Sequence, residues 1–275
     1  MKKIAVINDI SGFGRCSLTA ALPVISSFGV QCCPLVTGVY SNQTGYDSFQ
    51  SVDLTDSLPA FIGEWKKLGA SFDAIVTGFV TSAAQGSIIA DFIDDFGENA
   101  LVFVDPIMAD DGEIYKGFDD ARIASVTALC RKADIITPNL NELCLVAGAE
   151  FLPDYSDDEI RALCDRTQVP TVIVTGIKRG DTVSTAVKSG DRFEVFTGKK
   201  YAGSFSGTGD LLVSYVAAAT VSGDDVFTAV KKACAFIEEA IRLTLEENAP
   251  ADYFADGVYF EKLLSLLQGP MRFPY

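Results

Sequence analysis

The sequence has 275 residues, 48% of them hydrophobic, which is enough to bury the core of a large α/β domain. Its 37 acidic residues against 22 Lys and Arg give a formal net charge of -15. This argues against non-specific nucleic-acid binding, which requires a basic face. Histidine is absent, so His-based triads, His-ligated metals and imidazole acid–base catalysis are excluded.

The cysteine pattern and the lack of long apolar runs indicate where in the cell the protein is located. The 7 cysteines are scattered, form no CxxC pair and mostly lie in apolar runs, as small buried side chains do in a reducing cytosol. The apolar stretch at 4–7 is too short for a signal peptide, and no run approaches the ~20 residues of a membrane span. We therefore expect a cytoplasmic protein with neither membrane nor nucleic acid among its partners.

Short β-branched apolar runs alternate with helical patterns along most of the chain. Patterns typical of strands lie at 4–7, 30–36, 74–77, 101–104, 134–137 and 171–175, and helical patterns lie at 18–28, 57–68, 83–96, 121–131, 140–147 and 157–167. Segments 182–187 and 192–196 read as an antiparallel hairpin. The sequence therefore predicts an α/β fold with a mostly parallel central sheet, helices on both faces and an antiparallel hairpin at the edge.

The last third of the chain reads as helical. One apolar stripe at helical spacing is formed by Val226, Val230, Ala233, Ile237, Ile241 and Leu245. We expect a closing helix over 254–267 and an irregular tail over 269–275. No repeat, low-complexity segment or linker is apparent, so we expect a single domain over 1–275.

Polar segments follow the first two predicted strands, where ligands bind in open parallel sheets. The first, with Gly12, Gly14 and Ser17, is compatible with a dinucleotide loop. A nicotinamide-dependent oxidoreductase is therefore one alternative, although the ribose-binding acid expected about 20 residues later is missing. The second segment, 38–46, is rich in hydrogen-bonding and aromatic groups, as a pocket for a small polar ring would be.

The later strands are followed by acidic and hydroxyl side chains. Asp105 ends the fourth strand, and Asp110 lies on the loop after it; such carboxylates recruit a hard cation when phosphate oxygens complete its shell. Glu142 lies three residues after Asn139, which also fits a capping box. Thr175 and Lys178 end the sixth strand, where they would reach nucleotide phosphates or merely be exposed.

A glycine-rich segment precedes an apolar run that reads as a helix. Gly207, Thr208 and Gly209 offer backbone N–H groups at the start of this helix, which is a natural anion site. Asp210 follows, and a carboxylate there can accept the proton of an attacking hydroxyl in phosphoryl transfer. The same pattern also makes an ordinary helix cap.

Together these segments resemble the pyridoxal kinase family of the ribokinase superfamily over nearly the whole chain. The matching motifs are Ser41-Asn42-Gln43-Thr44-Gly45-Tyr46, Asp105-Pro106-Ile107-Met108-Ala109-Asp110, Thr137-Pro138-Asn139 with Glu142, and Gly207-Thr208-Gly209-Asp210. The resemblance implies a ribokinase-like three-layer sandwich. It also implies ATP and Mg²⁺ as cofactors and a homodimer, and it leaves dependence on a monovalent cation such as K⁺ open.

The resemblance implies a role for each site residue. Asp210 would deprotonate the 5′-hydroxymethyl group of a B6 vitamer, and the amides of residues 207–209 would bind the γ-phosphate. The residues implied at the nucleotide are Asp105, Tyr115, Thr137, Glu142, Thr175 and Lys178; those at the metal are Asp105, Asp110 and Glu142; those at the pyridine ring are Asp9, Thr44 and Phe79, with Asp210.

The chain departs from the family pattern in ways that bear on the substrate. Gln43 stands where the family often has histidine, and Ala109 where it has glycine. The first loop, with Asp9, Ser11 and Gly12, is similar to the Asp-x-Ser-Gly pattern of hydroxymethylpyrimidine kinases. The expected activity is thus ATP-dependent phosphorylation of pyridoxal, pyridoxine or pyridoxamine, with hydroxymethylpyrimidine as alternative or second substrate.

Overall fold

A computed structural model describes residues 1–152, 154–248 and 253–267. Its strands are β1 (Lys3–Ser11), β2 (Gln31–Tyr40), β3 (Ser51–Asp53), β4 (Ala74–Thr77), β5 (Leu101–Val104), β6 (Ala109–Asp110), β7 (Glu113–Ile114), β8 (Ile135–Ile136), β9 (Thr171–Arg179), β10 (Thr182–Ser189), β11 (Arg192–Lys199), β12 (Ser204–Phe205) and β13 (Tyr253–Phe254). Its α-helices are α1 (Ser17–Ser27), α2 (Leu58–Lys67), α3 (Ala83–Phe96), α4 (Asp120–Cys130), α5 (Leu140–Ala147), α6 (Asp157–Thr167), α7 (Thr208–Val221) and α8 (Val226–Glu247).

One nine-stranded sheet forms the centre, in the order β11-β10-β9-β8-β5-β4-β1-β2-β3. The strands from β9 to β2 in this order run parallel, whereas β3 pairs antiparallel at one edge and the β10–β11 hairpin at the other. The predicted α/β fold with its parallel centre and antiparallel edge hairpin is confirmed.

Helices cover both faces of the sheet, because the central strands are apolar on both sides. In β1, Ala5 and Ile7 pack into a core with α2 to α6, while Ile4 and Val6 pack into a second core with α1, α7 and α8. All four side chains are buried. This two-sided burial explains why the strands read as continuous apolar runs rather than as alternating ones.

The chain after α8 differs from the prediction. A closing helix over 254–267 was expected from its apolar spacing, and this is wrong. Phe254 instead pairs with Phe205 in the short β12–β13 ladder, and only Glu261–Leu267 is helical, in a 3₁₀ turn. Gly257, with φ of 81°, interrupts the segment, and a side chain there would lie 2.8 Å from the Arg15 carbonyl oxygen. The expected tail at 269–275 lies outside the described residues.

Several short strands had no sequence signal, namely β3, the β6–β7 hairpin and the β12–β13 pair. No helix in the described part of the chain is both long and apolar enough to traverse a membrane.

The carboxyl ends of β1, β4, β5, β8 and β9 meet along one edge of the sheet, and the candidate site lies there.

Candidate active site

The end of β1 carries a buried carboxylate held by two hydroxyls. Asp9 is buried and accepts hydrogen bonds from Ser17 Oγ at 2.7 Å and from Ser11 Oγ at 3.1 Å. Burial raises the pKa of Asp9, and these two hydroxyl bonds oppose the rise. The end of the otherwise apolar strand β1 thus places a buried carboxylate against the first residue of α1, Ser17.

Asn8 connects three parts of the site. Its Oδ1 accepts the backbone N–H groups of Asp9 and Phe79, each at 3.0 Å, and its Nδ2 donates to Asp210 Oδ1 at 3.2 Å. The end of β1, the turn after β4 and the first turn of α7 are thereby fixed relative to one another. The only sequence signal for Asn8 is that it is a polar residue next to Asp9 in an apolar strand.

The glycine-rich segment opens α7 as expected, and its first glycine has a steric reason. Gly207 has φ of 78°, and a Cβ there would lie 1.9 Å from the Arg15 carbonyl oxygen. Only glycine lets this loop lie so close to the loop that begins α1. The backbone N–H groups of Thr208 and Gly209 then belong to the first turn of a 14-residue helix, where unpaired N–H groups and the helix dipole favour an anion.

Asp210 lies in this first turn of α7. Desolvation raises its pKa to about 6, with a further contribution from the Asp9 charge, and hydrogen bonds from the Ser17 backbone and from Asn8 oppose the rise. A carboxylate with a pKa near 6 is ionised at neutral pH, yet it is a stronger base than an exposed one. This is the property that a general base needs.

Asp105 lies directly after β5 and faces the glycine loop. It is buried, accepts a 2.7 Å hydrogen bond from Thr137 Oγ1, and its Oδ2 would lie 3.7 Å from a Cβ placed on Gly209. Burial raises the pKa of Asp105 to about 7, and the Asp210 charge adds to this. The structure therefore brings Asp105, Thr137 and the anion loop together.

Glu142 and Asn139 form the predicted capping box at the start of α5. Glu142 Oε2 accepts the Asn139 N–H at 2.9 Å, and Oε1 accepts the Met108 N–H at 3.0 Å. Both carboxylate oxygens therefore tie the loop after β5 to α5. Burial and the nearby Asp105 charge raise the pKa of Glu142 well above its ordinary value.

Thr175 and Lys178, expected at the end of the sixth strand, lie within β9, which continues to Arg179. Thr175 N–H donates to the Pro138 carbonyl at 2.9 Å, which joins β9 to the loop after β8. Lys178 Nζ pairs with both oxygens of Asp111 at 2.6 Å, so its positive charge faces the β6–β7 hairpin. Of Thr175 and Lys178, only Lys178 lines the small cavity here, together with Asp110, Asp111, Asn139, Leu140, Asn141, Phe151 and Gly176. Tyr115 follows the hairpin and is 40% exposed.

The residues expected at the pyridine ring lie on two loops beside Asp9. Phe79 follows β4, is partly buried and donates its backbone N–H to Asn8. Thr44 is exposed on the loop after β2, and that loop contacts the first loop through Gln43 N–H, which donates to the Phe13 carbonyl at 2.8 Å. The loop after β2 therefore lies against the loop that follows Asp9 and β1.

Arg122 is a further buried charge that the sequence did not single out. Its guanidinium lies 3.5 Å from the Phe118 ring centroid and 4.8 Å from that of Phe79. Its Nε donates to the Val80 carbonyl at 2.6 Å. It therefore holds the Phe79 turn against the segment that carries Tyr115 and Phe118.

Three carboxylates of the site, Asp105 and Glu142, which are buried, and Asp210, which is partly buried, have no cationic partner in the described part of the chain. Among the described residues, no Lys or Arg forms an ion pair with Asp105, Glu142 or Asp210. Within the same described residues, no group of three or more Asp, Glu or Cys side chains is arranged to hold a metal ion by itself. Carboxylate oxygens are the ligands that a hard divalent cation prefers, so these residues fit such a cation if phosphate oxygens complete its coordination shell.

Comparison with known proteins assigns the chain to a family. A model described as phosphomethylpyrimidine kinase matches residues 14–252. The chain belongs to this family. It is therefore a kinase, which removes the nicotinamide-dependent oxidoreductase from the alternatives.

Relatives of this kinase include a pyridoxal kinase and an enzyme of thiamine biosynthesis. A pyridoxal kinase of Proteus mirabilis is 31% identical, with 71% of this chain and 68% of that protein aligned. The chloroplastic thiamine biosynthetic bifunctional enzyme of Arabidopsis thaliana is 29% identical over 86% of this chain; this chain spans only 46% of that longer protein. The resemblance to pyridoxal kinases of the ribokinase superfamily is thereby confirmed.

A solved structure is similar over nearly the entire chain. A protein of Bacteroides thetaiotaomicron, assigned as a phosphomethylpyrimidine kinase, was crystallised with pyridoxal. It is 37% identical to this kinase, with a TM-score of 0.91 over 99% of this chain and 97% of that one.

Proposed function

We propose that this kinase transfers the γ-phosphoryl group of ATP to the 5′-hydroxymethyl group of a B6 vitamer: pyridoxal, pyridoxine or pyridoxamine. The observation that carries the proposal is the position of Asp210, a carboxylate with a pKa raised to about 6, beside the backbone N–H groups that open α7. A base and an anion site thus lie next to each other, as phosphoryl transfer to an alcohol requires.

Each part of the site has a role in this reaction. Asp210 accepts the proton of the substrate hydroxyl as its oxygen attacks the γ-phosphorus. The amides at residues 207–209 stabilise the charge on the γ-phosphate oxygens, and these atoms belong to rigid backbone and need no reorganisation. ADP leaves with the charge of the broken bond on its β-phosphate.

The cation and the nucleotide are proposed on the other side of the loop. Mg²⁺ would neutralise charge on the phosphate oxygens, near Asp105 and Asp110, with Glu142 holding the loop between them. Thr137, Thr175 and Lys178 would contact the nucleotide, and Tyr115 would cover it. Dependence on a monovalent cation such as K⁺ is left to titration.

The B6 vitamer is favoured by the loop over residues 41–46 and by the pyridoxal in the Bacteroides thetaiotaomicron structure. Asp9, Thr44 and Phe79 would contact the ring. A second candidate, hydroxymethylpyrimidine, is favoured by the family description and by the first loop with Asp9 and Ser11. Competition between pyridoxal and hydroxymethylpyrimidine for turnover separates the two, because both would occupy one site.

Asp210→Asn tests the proposed base. The variant keeps the shape of the side chain and loses the proton acceptor, so we expect turnover to fall by roughly two or more orders of magnitude while ATP still binds. Steady-state kinetics and an ATP-binding titration provide the measurement. Turnover close to that of the wild type would remove Asp210 as the base.

We further propose that the enzyme is cytoplasmic, as its scattered free cysteines indicate, and that it is a homodimer, as the family resemblance implies. Analytical ultracentrifugation of the purified protein tests the assembly. A monomer at micromolar concentration would contradict this part of the proposal.

A further inference from the structure

The side-chain amide of Asn8 is held in one orientation. Its Oδ1 accepts two backbone N–H groups, from Asp9 and Phe79, at 3.0 Å each. Only the carbonyl oxygen of an amide accepts such bonds, so these two donors identify Oδ1 and direct Nδ2 to the opposite side. The residue is 4% exposed, and water therefore contributes little to this arrangement.

The opposite side is occupied by Asp210. Asn8 Nδ2 lies 3.2 Å from Asp210 Oδ1 and donates to it. Gly78 packs directly against the amide, and a Cβ on this residue would lie 2.4 Å from Asn8 Nδ2. Because Gly78 has no side chain, the amide fits between the turn after β4 and the first turn of α7.

We infer that Asn8 is the positioning residue for the general base: its amide N–H holds the Asp210 carboxylate in the orientation in which it accepts the substrate proton. This inference rests on the proposed function, since it gives Asn8 its role through Asp210. An N–H donor also favours the ionised carboxylate over the protonated one, and it thereby counters the effects of desolvation and of the Asp9 charge.

Asn8→Asp removes the N–H donor and places a second carboxyl group against Asp210. Aspartate has the same shape and retains an oxygen for the Asp9 and Phe79 N–H groups, but it faces Asp210 with an oxygen instead of an N–H. A lost hydrogen bond to a charged group corresponds to a fall in kcat of roughly 10- to 100-fold, with KM for ATP within about twofold of the wild type. Asn99→Asp, an exposed position before the amino end of β5, is the matched control with unchanged kinetics.

A double-mutant cycle separates positioning from a general structural effect. If Asn8 acts through the base, Asn8→Asp does not reduce the residual rate of Asp210→Asn any further. The double variant also exchanges the two side chains, so the amide introduced at position 210 can donate to the carboxylate introduced at position 8. We expect the thermal stability lost in Asn8→Asp to return in the double variant while turnover stays low. A general structural role would instead reduce the rate by the same factor in both backgrounds.

Two results would overturn the inference, and they are distinguishable from failure of the proposed function. The first is a wild-type kcat in Asn8→Asp, or an equal reduction of kcat by Asn8→Asp in the wild type and in Asp210→Asn. Either result removes Asn8 from the mechanism, while a low rate in Asp210→Asn still supports Asp210 as the base. Wild-type turnover in Asp210→Asn overturns the base and this inference together. If Asn8→Asp does not fold, Asn8→Ser, which is too short to reach Asp210, gives the same comparison.

Discussion

At the scale of single residues, the site concentrates negative charge where nothing in the described protein neutralises it. Asp105 and Glu142 are both buried, and each has a pKa raised first by burial and then by a neighbouring carboxylate. Such an arrangement is costly in the unliganded protein and favourable once a cation binds. The buried carboxylates thus lower the free energy of unfolding of the unliganded protein, and they are retained for binding.

Asp105→Asn should therefore stabilise the metal-free protein at alkaline pH. The folded-state pKa of Asp105, about 7, lies above its ordinary value of 3.8, so the folded protein holds a proton that the unfolded chain has released. Stability is then lost as pH rises from 3.8 to about 7, and it levels off at higher pH. We expect the variant to gain on the order of 1–3 kcal/mol at about pH 8, and less at about pH 6, while losing activity.

Thermal unfolding at both pH values in EDTA measures this effect. Asp191→Asn, in the exposed turn between β10 and β11, controls for the loss of one negative charge. An Asp105→Asn protein no more stable than the wild type at the higher pH would show that burial of the carboxylate carries no cost. Glu142 and Asp210 have pKa values raised in the same direction, so some pH dependence should remain in the variant.

At the scale of elements, the loop before α7 is shaped by its contact with the loop before α1. Gly207 combines a positive φ of 78° with a Cβ position 1.9 Å from the Arg15 carbonyl. Arg15 in turn pairs with Asp256 and Glu261 at 2.5 Å each and lies over the Tyr259 ring. The segment after α8 is thereby fastened beside the anion loop.

Gly207→Ala should cost more than an ordinary substitution at a left-handed glycine. We expect a loss of roughly 2–4 kcal/mol, because backbone strain adds to a steric clash with backbone atoms. Gly69→Ala is the matched control: Gly69 has φ of 61° but no atom within 4 Å of the added Cβ, so only about 1 kcal/mol should be lost. Urea unfolding of the two variants measures the difference, and equal losses would contradict the close approach of the two loops.

The sequence predicted the long elements well, because their periodicity reflects burial. The parallel strands, the edge hairpin and α1 to α6 follow from apolar patterns that the two cores confirm. The short ladders such as β12–β13 could not be predicted, since a two-residue strand has no period. The segment 254–267 has helical apolar spacing, but its conformation is set by Gly257 and by its contact with Arg15, which is distant in the sequence.

At the scale of the whole molecule, the parallel sheet explains why scattered motifs meet. Asp105 and Thr137 follow β5 and β8, and Thr175 lies in the next strand of the sheet, β9, so the order of the strands makes them neighbours in space. The contacts between distant segments were not predictable, because hydrogen bonds such as Asn8 to Asp210 join residues 202 positions apart. Motifs were enough to name the candidate residues, whereas Asn8 and Arg122 required the structure.

The most direct test of the central proposal is ADP release with Mg-ATP against pyridoxal, pyridoxine, pyridoxamine and hydroxymethylpyrimidine, measured in parallel on the wild type. We expect a B6 vitamer to give the highest kcat/KM and its 5′-phosphate to accumulate in step with ADP. Turnover with hydroxymethylpyrimidine alone would contradict the proposed substrate while leaving the fold and the phosphoryl-transfer site in place.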